Sequence, residues 1–143
     1  LPSIDRLYRQ MSVVNDGVDS PYVMRAIGSF EMIFKLMEQT LADSRPFIMG
    51  DQFTLAETTL MPFIKVLEMV RFLDFWMEPY PLTRAWWDRM VERPSLKRLD
   101  DFSYSAISED SPHAKSGRET EPEFRVKLAE YRDRFGHAFN PVT

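Results

Sequence analysis

The sequence contains no cysteine and only two histidines and five glycines in 143 residues. Without cysteine, the chain cannot form disulfides, thiolate metal sites or a thiol nucleophile. The two histidines, His113 and His137, lie too far apart for the helical spacing of a ligand pair. The sequence has no Gly-rich phosphate-binding loop, and no serine stands in the Gly-x-Ser-x-Gly setting of an activated nucleophile. We therefore expect no metal site, no cofactor site and no catalytic residue in this chain.

An excess of positive charge is also missing. Eighteen basic residues face twenty-two acidic ones, which gives a net charge of −4, whereas a nucleic-acid-binding protein needs a basic surface. No apolar run approaches the roughly 20 residues that cross a bilayer, and the first residues lack the basic-then-apolar order of a signal peptide. Together with the lack of cysteine, these observations predict a cytoplasmic protein that binds neither nucleic acid nor a membrane.

The chain does have strong helical periodicity. Hydrophobic residues make up 44% of the sequence, so a chain of this length can bury a core. Apolar side chains recur every three or four positions in three long stretches, Leu1 to Val14, Tyr22 to Leu41 and Leu60 to Phe75. Gly17, in the polar break after the first stretch, can end the first helix. No alternating run of β-branched residues indicates a strand. The sequence therefore predicts an all-α fold, a bundle of about five to six helices.

Changes of composition divide the chain into three predicted parts. Residues 1–102 form the bundle core, and we expect its first helix to be entered part-way, because the apolar face already begins at Leu1. Residues 103–122 are polar, with little periodicity, which is typical of a surface excursion. Residues 123–143 carry a narrow apolar stripe in a charged segment, which predicts a last helix and a tail of the same domain.

Thr54 and Glu57 mark the start of the third predicted helix. A Thr followed three residues later by Glu is a capping box, in which the hydroxyl accepts a backbone N–H and the carboxylate reaches back to the N-cap. Pro62 falls inside this helix, where we expect it to bend the axis rather than end the helix. The apolar residues cover so much of the circumference that the sequence predicts a central helix, nearly surrounded, that continues to Phe75.

Two adjacent tryptophans, Trp86 and Trp87, occupy the next predicted helix, which Arg93 and Pro94 end. Successive residues of a helix point about 100° apart. We therefore expect one indole to enter the core and the other to cover a boundary.

Together these segments resemble the C-terminal helical domain of the glutathione S-transferase family. The similarity spans most of residues 20–99, and its most specific segments are residues 47–60 and 81–95. The family pattern at the start of the central helix is Gly-Asp, an apolar residue, Ser or Thr, any residue, Ala and Asp. The matching residues here are Gly50, Asp51, Phe53, Thr54, Ala56 and Glu57.

Two positions depart from this pattern. Glu57 stands where the family usually has Asp, so the helix start must accommodate an extra methylene. Thr58 stands where an apolar residue would complete a hydrophobic staple with Phe53. The resemblance implies that Thr54 and Glu57 are structural residues, and that Trp86 is the buried tryptophan of its pair.

The resemblance also implies a two-domain parent protein. A thioredoxin-like N-terminal domain would hold glutathione, the co-substrate, together with the residue that activates it, so this chain alone would be inactive. The helical domain would supply part of a homodimer surface and the apolar wall that receives an electrophilic small molecule. The candidates for that wall are Tyr8 and Met11 on the first helix and Leu73 and Trp76 near the far end of the central one. Core packing or subunit contact is the competing interpretation of all four residues.

Two other functions stay open at this point. Helical domains of the same type serve as docking modules in translation factors and aminoacyl-tRNA synthetases, where they join proteins and bind no glutathione. The chain lacks basic extensions and charged linkers, which favours the transferase. A third hypothesis is that the polar segment after Leu99 recruits a partner by itself.

Overall fold

The computed structural model describes residues 3–98 and 108–136. Within these ranges the backbone is mostly α-helical with two short 3-10 helices, and it contains no β-strand apart from an isolated bridge between Phe47 and Gly50. The α-helices are α1 (Ile4–Asp16), α2 (Pro21–Thr40), α3 (Leu55–Met69), α4 (Leu73–Met77), α5 (Pro81–Val91) and α6 (Pro112–Phe135). Residues 94–98 are also helical. The predicted all-α fold is confirmed.

The chain divides into two compact units. The first consists of Leu1–Ile33 and Thr120–Thr143, and the second of Phe34–Glu119. The divisions fall within α2 and α6, so each of these helices contributes to both units.

In the first unit, α2 and α6 are joined by a partly buried ion pair. The guanidinium of Arg132 donates to both carboxylate oxygens of Glu31, at 3.2 and 2.9 Å, and Glu31 is almost fully buried. Close to this pair, Gly28 lies against the ring of Tyr131. By contrast, α1 has no buried residue. It ends at Gly17, whose φ of 57° suits glycine, as the sequence predicted.

The core of the second unit is built around aromatic side chains. Phe34 packs edge-on against Trp76, with ring centres 6.0 Å apart, and it also contacts Tyr80 at 5.7 Å. Both tryptophans of α5 are buried here, with ring centres 6.2 Å apart. The predicted burial of Trp86 is confirmed, but the boundary position predicted for Trp87 is wrong. Although Trp87 is buried, its indole N–H has a partner, the Glu68 carboxylate, at 3.2 Å.

Glu38 on α2 caps the start of α5. Its carboxylate accepts the backbone N–H groups of Leu82 and Thr83, at 2.9 and 2.8 Å, and the Thr83 hydroxyl at 2.8 Å. Tyr80, the residue at the N-cap position of α5, makes no side-chain capping bond. A carboxylate at a helix N-terminus also interacts favourably with the helix dipole. Glu38 therefore fixes the start of α5 from 44 residues away in the sequence.

We expect Glu38→Ala to lower the free energy of unfolding by about 2 kcal/mol, because it leaves two N–H groups at the helix start without a protein acceptor. Urea denaturation followed by circular dichroism measures the change. The matched control is Glu119→Ala, which removes an exposed glutamate of α6 and should change the stability by less than about 0.5 kcal/mol. Equal effects of the two substitutions would contradict the capping role.

The long central helix predicted through Phe75 is interrupted. α3 ends at Met69, and Arg71 adopts a left-handed conformation with φ of 63°. The N–H of Arg71 bonds the carbonyl of Glu68, and the N–H of Phe72 bonds the carbonyl of Leu67, which together form a Schellman motif. Glycine usually occupies the left-handed position of this motif, so an arginine there gave no signal in the sequence.

The prediction that α3 is nearly surrounded is also wrong for the described residues. Its buried side chains are Glu57, Ile64, Lys65 and Leu67. Leu55, Phe63 and Val66 on another side of the helix are 81%, 57% and 53% exposed. Apolar residues do occupy most of the circumference of α3, but the rest of the second unit packs against only part of it.

The last helix begins at Pro112, eleven residues earlier than the sequence predicted. The Ser111 hydroxyl accepts the N–H of Ala114 at 3.1 Å, and Pro112 occupies the first helical position. The buried stripe of the first turns is made by Ala114 and Gly117, small residues that give little hydrophobic signal. Residues 112–122 of the predicted excursion are therefore helical, and residues 103–107 lie outside the described residues.

Candidate functional site

The start of α3 is held by a compact set of hydrogen bonds. The Thr54 hydroxyl accepts the N–H of Ala56 at 3.2 Å, and one oxygen of Glu57 accepts the N–H of Thr54 at 2.8 Å. The same oxygen accepts the Thr54 hydroxyl at 2.9 Å. The second oxygen of Glu57 accepts the N–H of Ile48 at 2.6 Å. Glu57 therefore joins residues 47–53, the connector before the helix, to the helix start, a contact that sequence reasoning missed.

The Glu57 carboxyl is ionised in this setting, although its side chain is fully buried. Burial by itself raises the pKa of Glu57, but the N–H groups of Thr54 and Ile48 and the hydroxyl of Thr54 donate to the carboxylate. The net result is a pKa of Glu57 below its ordinary value. The ionised Glu57 carboxylate therefore takes part in the hydrogen bonds that hold the start of α3.

Thr54→Ala should lower the free energy of unfolding by about 1 kcal/mol, and by at most about 2 kcal/mol, because the first turn of α3 loses its hydroxyl acceptor. The Glu57 carboxylate keeps its two N–H donors in this variant, which limits the loss. Thermal unfolding measures the change. A melting temperature equal to that of the wild-type protein would refute this role of Thr54.

Aromatic contacts hold the connector against the end of α5. Phe47 and Phe53 meet edge to face, with ring centres 6.1 Å apart, and the guanidinium of Arg93 lies 3.8 Å from the centre of the Phe53 ring. Arg89 donates to the carbonyl of Pro46 at 3.1 Å. These contacts fix the residues on both sides of the Gly50 turn, whose φ of 119° favours glycine.

Two helices present exposed apolar faces. The α3 face consists of Leu55, Pro62, Phe63 and Val66, which recur at helical spacing on its exposed side. The α1 face consists of Ile4, Leu7, Tyr8, Met11 and Val14, all exposed. The α1 face belongs to the first unit and the α3 face to the second. Contiguous apolar surface of this kind marks a place where a protein contacts another molecule or domain.

The four residues predicted to form the substrate wall fall into two pairs. Tyr8 and Met11 lie side by side on the exposed α1 face. Leu73 and Trp76 lie in α4 and are buried in the core of the second unit. The two pairs belong to different units. Their part in substrate binding stays a prediction.

The structure offers no candidate cation site in the part of the chain that it describes, because no three His, Cys, Asp or Glu side chains converge there. His113 lies exposed in the first turn of α6, and His137 lies outside the described residues. In the same residues, no helix is both long enough and apolar enough to cross a membrane.

The family model for the glutathione S-transferase C-terminal domain matches residues 8–94, which is more than half of the chain. The match runs from the α1 face, through the capping box of α3, to the end of α5. No curated protein and no solved structure matches the sequence. The all-helical fold and the family model agree, and the chain belongs to the glutathione S-transferase family as its C-terminal domain.

Proposed function

We propose that this chain is the helical half of a two-domain glutathione S-transferase that joins glutathione to an apolar electrophile. The observation that supports this proposal is the exposed α3 face of a chain that belongs to this family. The protein would be a cytoplasmic homodimer. Its thioredoxin-like half would bind glutathione and lower the pKa of the glutathione thiol, so that the thiolate is available near neutral pH.

In this proposal the α3 face packs against the thioredoxin-like half. Phe63 and Val66 are more than half exposed, although α3 is the helix that the family buries at its centre. Removing such apolar area from water contributes roughly 25 cal/mol for each Å² buried. Covering the face with the second domain would complete the burial of α3 that its sequence pattern predicted.

The α1 face would contact both the electrophilic substrate and the second subunit. Tyr8 and Met11 would contact the substrate, since a methionine and an aromatic ring adapt to apolar molecules of varied shape. The remaining residues of the face would contact the partner subunit. In this proposal the helical half would supply no group that takes part in bond making. It would bind and orient the electrophile and exclude water from it.

A docking module is the second candidate function, and one observation favours it. α1 is an amphipathic helix without a single buried residue, the form in which helices insert into an apolar groove of another protein. In that case the α1 face would bind a partner protein, and the parent protein would not bind glutathione.

Glutathione-affinity chromatography of the intact gene product separates the two functions. The transferase proposal expects the protein to be retained by immobilised glutathione, to elute with free glutathione, and to conjugate an apolar electrophile such as 1-chloro-2,4-dinitrobenzene. Conjugation should fall when Tyr8 is replaced by Asp, which puts a charge in the apolar wall. A gene product that neither binds glutathione nor conjugates the electrophile would refute the transferase and favour docking.

A further inference from the structure

A cavity of about 390 Å³ lies in the second unit, beside the first turns of α3. Its lining is mostly apolar, and the side chains around it include Phe53, Thr58, Met61, Pro62, Lys65 and Leu96. This volume falls at the lower end of the range found for small-molecule pockets. None of these residues belongs to the substrate wall expected from the family resemblance. The cavity is therefore separate from that wall, although Pro62 also belongs to the α3 face.

The cavity has a local cause in the sequence. An apolar residue before the N-cap of a helix commonly packs against the fourth residue of that helix, a contact called the hydrophobic staple. Phe53 precedes the N-cap Thr54, but the fourth residue is Thr58, whose hydroxyl bonds the carbonyl of Thr54 at 3.3 Å. The apolar side chain that would fill the space beside Phe53 is thus replaced by a small polar one. Phe53 itself is held in place by the guanidinium of Arg93.

The charges at the cavity indicate what kind of molecule fits. Lys65 is the one ionisable side chain among the lining residues given above, and it is nearly buried. Its ammonium lies 2.6 Å from the carboxylate of Glu68, and the other oxygen of Glu68 accepts the indole N–H of Trp87. An anion in the cavity would find this positive charge already balanced and would also approach the Glu68 carboxylate. An uncharged ligand does not need a free positive charge, and the Glu68 carboxylate does not repel it.

We propose that this cavity binds an uncharged, largely aromatic or aliphatic small molecule, which occupies the space beside Phe53 that a staple side chain would fill. The site uses Phe53, Met61, Pro62 and Leu96 for apolar contact. It does not depend on glutathione or on the substrate cleft. A molecule that binds it stabilises the start of α3, because a ligand that binds only the folded state raises the stability of that state.

The test is a fluorescence titration of the intact gene product with N-phenyl-1-naphthylamine, a neutral dye that brightens in apolar surroundings. Thr58→Phe fills the cavity and supplies the missing staple. We expect it to weaken dye binding at least about tenfold while the melting temperature stays equal or rises. Because stability is not expected to fall, the loss of binding cannot come from unfolding.

Two control variants isolate the cavity. Thr58→Ala loses the same hydroxyl bond but leaves the space open, so it should keep the dye affinity within about twofold. Ser116→Phe adds the same ring at an exposed serine of α6, outside the cavity lining and outside the α3 face. It should also leave binding unchanged. Equal dye affinity in Thr58→Phe and Ser116→Phe would overturn the proposal.

A charged analogue tests the class of ligand. 1-Anilinonaphthalene-8-sulfonate has the same ring skeleton as the neutral dye with an added sulfonate. We expect the binding that Thr58→Phe removes to be at least about tenfold weaker for the sulfonate than for the neutral dye. A sulfonate that binds this site as tightly as the neutral dye would overturn the assignment to an uncharged ligand.

Discussion

Gly117→Ala should lower the free energy of unfolding by about 3 kcal/mol and the melting temperature by roughly 10 °C. Gly117 lies within α6, at the point where this helix packs against the backbone that ends α3. A Cβ on Gly117 would overlap the carbonyl oxygen of Val70 and lie 2.7 Å from its carbonyl carbon. A backbone carbonyl cannot rotate away as a side chain can, so the two segments must separate. The clash outweighs the gain of about 1 kcal/mol that alanine normally brings to a helix interior.

Gly28→Ala is the matched control for this substitution. Gly28 also lies within a helix and close to another element, but its nearest neighbour is the hydroxyl end of the Tyr131 side chain, 3.1 Å from the added Cβ. A few tenths of an ångström of side-chain movement relieves that contact. We therefore expect Gly28→Ala to change the stability by less than about 1 kcal/mol. Equal losses in the two variants, measured by urea denaturation, would contradict the close approach of α6 to Val70.

Glu57→Ala should lower the free energy of unfolding by about 3 to 4 kcal/mol. The substitution removes the acceptor of the Ile48 and Thr54 N–H groups and of the Thr54 hydroxyl, and the side chain that it deletes is fully buried. Each buried donor left unpaired costs about 1 to 3 kcal/mol. The loss should exceed that of Thr54→Ala when both variants are measured by urea denaturation. Glu123→Ala, at an exposed position of α6, serves as the control and should be nearly neutral. Comparable effects of Glu57→Ala and Glu123→Ala would refute the role of Glu57.

The contribution of Glu57 should also depend on pH. The pKa of Glu57 is lower in the folded protein than its ordinary value of 4.5, so the unfolded chain binds the proton more tightly than the folded one does. The stabilisation is therefore complete above the unfolded-state pKa and is lost as the pH falls through the folded-state pKa. The stability difference between the wild type and Glu57→Gln should be constant near neutral pH and should shrink below about pH 4.5. A difference that grows on acidification would contradict the lowered pKa.

Much of the fold could be predicted from the sequence, because local residue patterns mark where its helices lie. The three-and-four spacing of apolar residues placed α2 within one residue of its observed Pro21–Thr40 bounds. A Gly after α1 correctly marked the end of that helix. The Thr54 and Glu57 pattern located the start of α3, since a capping box uses two residue types at a fixed distance.

The features that the sequence did not predict depend on distant contacts or unusual residues. Glu38 caps a helix 44 positions later, and Glu57 accepts the backbone N–H of Ile48. No local sequence pattern predicts either hydrogen bond. Arg71 ends α3 in a conformation that usually signals glycine. The first turns of α6 bury alanine and glycine, which carry little hydrophobic signal. The same limit applies to the candidate site, because the exposure of Phe63 depends on what the rest of the chain covers.

The proposed transferase requires that a second domain covers the α3 face in the intact protein. The chain has no cysteine, so Phe63→Cys and Val126→Cys each introduce a single thiol into these 143 residues, at positions 57% and 66% exposed here. The measurement is the rate of thiol alkylation in the intact gene product, resolved by peptide mass spectrometry and normalised to the urea-denatured protein. We expect the thiol at position 63 to react at least about tenfold more slowly than the thiol at position 126. Equal rates at the two positions would contradict it.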